Sequence, residues 1–125
     1  MIRILIADDH LLIRQGMRLI LETEDGLELV GEALNGAEAV RLCAELNPDV
    51  VLMDLRMPTM DGLTMAEKIR TDMGNKTVHI IMLTTEDNPV MRERGRAIGV
   101  TGWIVKPFRG EAVLGPFRKL CGLSA

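Results

Sequence analysis

Six residues of this chain are of types that could work together in phosphoryl chemistry: Asp8, Asp9, Asp54, Thr84, Thr85 and Lys106. Asp54 stands out, because it ends an unbroken apolar run, residues 50–53, inside the segment DVVLMDLRMPTMDG. A carboxylate leaving a buried strand costs several kcal/mol unless something compensates its charge. Three carboxylates in one place repel, and a cation would neutralise them. Oxygen donors with little His or Cys nearby select Mg²⁺, or Mn²⁺, over Zn²⁺. Mg²⁺ keeps several waters and often binds a phosphate as well. Lys106 would add a fixed positive charge and Thr84 a hydroxyl donor. Together these groups would hold a phosphoryl group between a divalent ion and an ammonium. Asp54 is the best nucleophile, because it alone sits mid-site on a central strand.

These residues meet only if the chain places them at one edge of a sheet. Apolar runs alternate with amphipathic segments. IRILIA (Ile2–Ala7) is apolar apart from Arg3. Residues 10–25 space Leu12, Ile13, Met17, Ile20 and Leu21 as a helix would. LELVGEA (Leu27–Ala33) alternates like a half-covered strand. Residues 35–47 begin on Asn35, with Glu38 placed for a capping box. The strand to Asp54 follows, then a helix in residues 63–73 and a buried strand in 78–86. Residues 87–99 read as a helix, with Pro89 near its first position and Gly99 past its end. Its Gly95 lies mid-span, which reads as a loosely held helix, and Arg92 and Arg96 share one face. TGWIVKP is a fifth strand, and a last helix starts at Arg109. Five strand–helix pairs predict an α/β fold: a doubly wound five-stranded parallel sheet flanked by five helices, flavodoxin-like. Ligands of such sheets bind outside the carboxyl ends of the strands. Asp8 and Asp9 end the first strand, Asp54 the third, Thr84 and Thr85 the fourth, and Lys106 the fifth.

Each residue also has a plainer reading. Asp9 could be only a helix cap, Thr84 only structural, and the Lys106-Pro107 pair only a turn. Their joint placement on four strand ends favours a site.

The bulk numbers set bounds. The 125 residues, without repeat or linker, read as one domain, residues 1–125. The chain is 47% hydrophobic but has one Trp, two Phe and no Tyr, so the core must be aliphatic, with nine Met as filler. A net charge of −3 with mixed signs gives no case for direct nucleic acid binding or an anionic membrane. Cys43 and Cys121 lack metal-ligand spacing and read as buried free thiols in a reducing cytoplasm. Two Asp come too early for a signal peptide, and no apolar run approaches membrane-spanning length.

The motifs ILIADDH, DVVLMDLRMPTMDG, IIMLTT and GWIVKPF, in this order, resemble the response-regulator receiver domain, the CheY-like fold of two-component signalling. The resemblance implies that Asp54 is the phosphoacceptor, taking a phosphoryl group from a histidine kinase or phosphotransfer protein. It implies that Asp9 ligates Mg²⁺ directly, that Asp8 acts mainly through water, and that the Arg56 backbone carbonyl is a further ligand. Lys106 and Thr84 would contact the phosphoryl oxygens. Trp103 matches the aromatic switch position, and the Lys106–Pro107 bond is expected to be cis. The output would leave through the face formed by the fourth helix, fifth strand and fifth helix, toward an unidentified partner. A homodimer is left open. The first half is most similar to receivers of DNA-binding regulators and the second half to the stand-alone chemotaxis type. The stand-alone form is favoured over an excised receiver.

Some positions are particular to this chain. Arg56 and Glu86 fall where receivers tune phosphoryl lifetime, and a pair between them would shield an acyl phosphate. Gly115-Pro116 interrupts the last helix, so a short helix to Leu114 is expected, with a new turn from Pro116. A phosphatase with an Asp nucleophile would need a second Asp two residues on, where this chain has Arg56. A nucleotide-binding domain would need G-x-G-x-x-G after the first strand, where ADDH stands. The expectation is a phosphoacceptor switch, not an enzyme acting on other substrates.

Overall fold

The computed structural model describes residues 2–54, 62–71, 74, 77–84, 89–105 and 114. Every apolar run became a strand. These are β1 (Ile2–Ala7), β2 (Leu27–Ala33), β3 (Val50–Asp54), β4 (His79–Thr84) and β5 (Gly102–Val105). Between them lie α1 (Leu11–Glu22), α2 (Gly36–Leu46), α3 (Gly62–Thr71) and α4 (Pro89–Ile98). Leu114 is helical and buried; the remainder of the expected last helix, Pro116 and Cys121 lie outside the described residues.

The five strands form one parallel sheet in the order β2-β1-β3-β4-β5. This is the flavodoxin-like order, whose switch point lies between β1 and β3. Side chains alternate across a strand, so each strand serves two cores. Leu5, Ala7, Val51, Met53, Ile80 and Met82 face one way, against Ala39 and Cys43 of α2 and Leu63, Ala66 and Ile69 of α3. Ile4, Ile6, Val50, Leu52, Ile81 and Leu83 face the other, against Met17 and Leu21 of α1 and against Leu114. Each such buried side chain contributes about 1.5–3 kcal/mol. All five residues of β3 are buried, as expected for a strand with neighbours on both sides and helices on both faces.

Local signals explain the helix ends. The Asn35 side chain accepts a hydrogen bond from the Glu38 backbone N–H at 2.9 Å. The Glu38 carboxylate reaches back to the Leu34 N–H, one residue before the expected partner in a capping box. Asn47 closes α2 in the left-handed conformation, and Gly99 (φ 94°) follows α4. One sequence assignment fails: Leu12 is 80% exposed and off the core face of α1. The inward stripe is Ile13, Met17, Ile20 and Leu21, a spacing of 4, 3 and 1 that leaves Leu12 about 100° away.

Candidate functional site

Sheet register brings the site together. Ala7 pairs with Met53, so Asp8 leaves β1 beside the point where Asp54 ends β3. Asp54 pairs with Leu83, so Thr84 stands one step beyond it on β4. Thr84 in turn pairs with Val105, the residue before Lys106. Asp8 is fully buried, and Asp54 and Thr84 are nearly so. The Asp54 side chain is 5% exposed and that of Asp9 29%.

Asp8, Asp9, His10 and Asp54 each offer a ligand atom, and these four atoms lie within 4.8 Å of one another. The imidazole Nδ1 of His10 is 3.1 Å from Asp8 Oδ1, 3.1 Å from Asp9 Oδ1 and 3.8 Å from Asp54 Oδ2. Asp8 Oδ1 also accepts the His10 backbone N–H at 2.8 Å. His10 occupies the N-cap of α1 yet its side chain makes no capping bond. The plainer reading of Asp9 as the cap therefore falls away.

The start of α1 is fixed to the sheet from behind. Arg14 donates from Nη1 to the Asp8 carbonyl at 2.9 Å, and its Nε lies 3.3 Å from Glu32 of β2. Arg18 pairs with the same Glu32 carboxylate. Arg14 thus ties the DDH turn to the edge strand, and Arg18 fixes α1 to the same carboxylate, which stiffens the carboxylate cluster.

A second feature lies beside the site. The Trp103 ring packs edge-on against Gly95 of α4, where an added Cβ would come within 2.6 Å of the ring. The Arg92 guanidinium lies 5.6 Å from the ring centre on its face, a cation–π contact. Gly95 is buried, so the reading of it as a loose point in the helix is corrected: its missing side chain is the seat of the tryptophan. Arg92 likewise belongs to this packing, whereas Arg96 stays exposed beside Glu93.

Sequence reasoning therefore placed Asp8, Asp9, Asp54 and Thr84 at one sheet edge, and the structure brings them there. Lys106, Arg56, Glu86 and Thr85, with the Lys106–Pro107 bond, lie outside the described residues. One residue and one contact were missed. His10 follows Asp9 directly, and its type next to two carboxylates was the available signal. The fit of Gly95 to Trp103 had none, because it depends on how closely α4 packs on β5, which local sequence pattern does not encode.

Fold and acidic cup define a class: a doubly wound domain with a carboxylate cluster at the switch point of its sheet. The chain belongs to the response regulator receiver domain family, whose pattern matches residues 4–115. It is 41% identical over 111 residues to the transcriptional regulatory protein YdfI of Bacillus subtilis, covering 89% of this chain and 51% of that protein. It thus spans about half the length of that curated relative. Among solved structures, the chemotaxis response regulator CheY4 of Vibrio cholerae superposes with a TM-score of 0.85 at 35% identity, covering 96% of this chain and 98% of that one. The signal receiver domain of NarL from Mycobacterium tuberculosis superposes at 0.88 with 28% identity, covering 97% and 96%.

Receiver domains bind Mg²⁺ at an acidic pocket, and the residues present here fit such an ion. Two carboxylates are buried within reach of a third, an arrangement that calls for a cation. Among the described residues no helix is long and apolar enough to cross a membrane.

Proposed function

We propose that this receiver accepts a phosphoryl group on Asp54 and uses it to switch a protein surface. One observation carries the reading: Asp54 is a nearly buried carboxylate at the exit of the central strand, with the Asp8 and Asp9 carboxylates beside it. Asp54 Oδ attacks the phosphorus of a phosphohistidine. The P–N bond breaks, the imidazole leaves with its electron pair and takes up a proton, and an acyl phosphate remains. A bound Mg²⁺ supplies charge neutralisation for the phosphoryl oxygens. Asp9 and Asp54 would hold the ion directly through their carboxylates, with Asp8 acting through water and the Arg56 carbonyl as a further ligand. Lys106 and Thr84 would contact the phosphoryl oxygens. Burial of Asp54 limits the access of water to the product. Arg56 and Glu86 set how long the acyl phosphate lasts.

The new charge, roughly −1 to −2, attracts Thr84 and Lys106. The space left by Thr84 admits Trp103, which leaves its seat on Gly95. This biases two arrangements of α4, β5 and the helix expected after Arg109. A ~100-fold shift needs only ~2.7 kcal/mol, within reach of two charge-assisted hydrogen bonds. The donor is a histidine kinase or phosphotransfer protein in the cytoplasm. The chain is a switch that catalyses only its own phosphorylation and dephosphorylation. The switching face serves equally a separate partner, as its likeness to CheY4 suggests, or an attached output domain, as the greater length of YdfI suggests.

The test is incubation with phosphoramidate and Mg²⁺, followed by intact mass measurement. The expected result is one adduct of about 80 Da, the mass of a phosphoryl group, that is absent from Asp54→Asn and without Mg²⁺. An adduct that persists in Asp54→Asn would overturn the assignment.

A further inference from the structure

Resting on the metal site proposed above, we infer that His10 is a nitrogen ligand of that site and gives it a preference for borderline transition-metal ions over Mg²⁺. Three observations lead there. His10 stands at a helix N-cap, a position that favours Ser, Thr, Asp or Asn for their capping oxygen, yet its side chain caps nothing. The ring turns instead toward the carboxylates, with Nδ1 3.1 Å from an oxygen of both Asp8 and Asp9. The separation from Asp9 matches neighbouring donors of one octahedral ion, which lie about 3.0 Å apart when each bond is about 2.1 Å; the contact with Asp8 is a hydrogen bond that orients the ring. The 3.8 Å to Asp54 Oδ2 falls between the neighbouring and the opposite positions of such an octahedron. The ring is also 62% exposed, so an ion can reach Nδ1 without unfolding the turn.

The chemistry of the donor set then changes. Carboxylates alone suit Mg²⁺, which dehydrates reluctantly and prefers oxygen. Adding one imidazole favours Ni²⁺ or Zn²⁺, for which nitrogen is a good ligand. Arg14 holds the turn that carries His10 against β2, so the donor is already placed before an ion arrives. The competing arrangement is a ring that merely sits among the acids as their counter-charge. That ring would have to leave for an ion to bind, and its removal would tighten metal binding.

The experiment is calorimetric titration of the untagged protein with NiCl₂ and with MgCl₂, for wild type, His10→Phe, His10→Asn and Asp9→Asn. We expect both His10 variants to lose roughly tenfold or more in Ni²⁺ affinity, while Mg²⁺ affinity changes by less than about threefold. Pulsed electron spin resonance of bound Mn²⁺ supplies a second readout: directly bound ¹⁴N coupling in the wild type, absent from His10→Phe. Unchanged Ni²⁺ affinity, or tighter Mg²⁺ binding in His10→Phe, would overturn the inference. If Asp9→Asn weakens both metals while His10→Phe weakens neither, this inference alone falls. If the wild type binds neither metal, the site itself falls with it.

Discussion

Asp54 keeps a carboxylate where only 5% of its side chain meets water. A charge so placed without a partner costs several kcal/mol, which is why a strand-end Asp after an apolar run could be recognised from the sequence alone. The same logic exposed Asp8 and Asp9 but passed over His10, since a His beside acids is common and only geometry shows where its ring turns. Cys43 makes the opposite case, a free thiol buried among the side chains of a core cluster. It is 1% exposed, and burial pushes its thiol up while the Arg70 guanidinium pulls it partly back. A thiol held neutral and covered should react slowly. In a Cys121→Ser background, iodoacetamide labelling of Cys43 is expected to follow the rate of unfolding and to accelerate in urea. Rapid labelling of the folded protein at neutral pH would show that the site opens by a local route instead.

At the scale of elements, the alternation of apolar runs and amphipathic segments gave every strand and the four described helices. Period and cap chemistry are local properties, and α2 shows it: Asn35, Glu38 and Asn47 set both ends. What stayed hidden was contact between elements. Gly95 reads as a weak point because Gly costs about 1 kcal/mol against Ala in a helix. In the folded chain it is where α4 approaches β5 closely enough to hold Trp103. Gly95→Ala therefore sets two effects against each other. The helix gains about 1 kcal/mol in propensity, while overpacking against the ring costs about 1–3 kcal/mol unless the ring leaves. Trp103 is only half-buried, so it is expected to move out. Because it is the sole tryptophan, its emission reports this directly: Gly95→Ala should shift the maximum to longer wavelength, with stability changed by less than about 1 kcal/mol. Unshifted emission with a stability loss of about 2 kcal/mol or more would mean that the ring stays and the helix moves.

Across the whole molecule, the strand order β2-β1-β3-β4-β5 brings Asp8, Asp54 and Thr84 together at one edge, and right-handed crossovers then place helices on both faces. Neither described core cluster includes a member of the acidic cup, which adds buried charge beside them. Function and stability should therefore pull apart at this site. Asp54→Asn keeps the shape of the side chain and removes one buried charge from a crowded cluster. In EDTA the variant should be more stable than the wild type, by about 1–2 kcal/mol in urea unfolding. Mg²⁺ at ten times its dissociation constant should then add about 1.4 kcal/mol to the wild type, since the ion binds only the folded chain. The variant, with one ligand charge fewer, should gain less at the same concentration, so the gap between the two proteins narrows or reverses as Mg²⁺ is added. An Asp54→Asn protein that is less stable than the wild type in EDTA would mean that hydrogen bonds to the carboxylate outweigh the repulsion. The acidic cup would then be part of what holds the sheet edge together, not a strained site awaiting its ion.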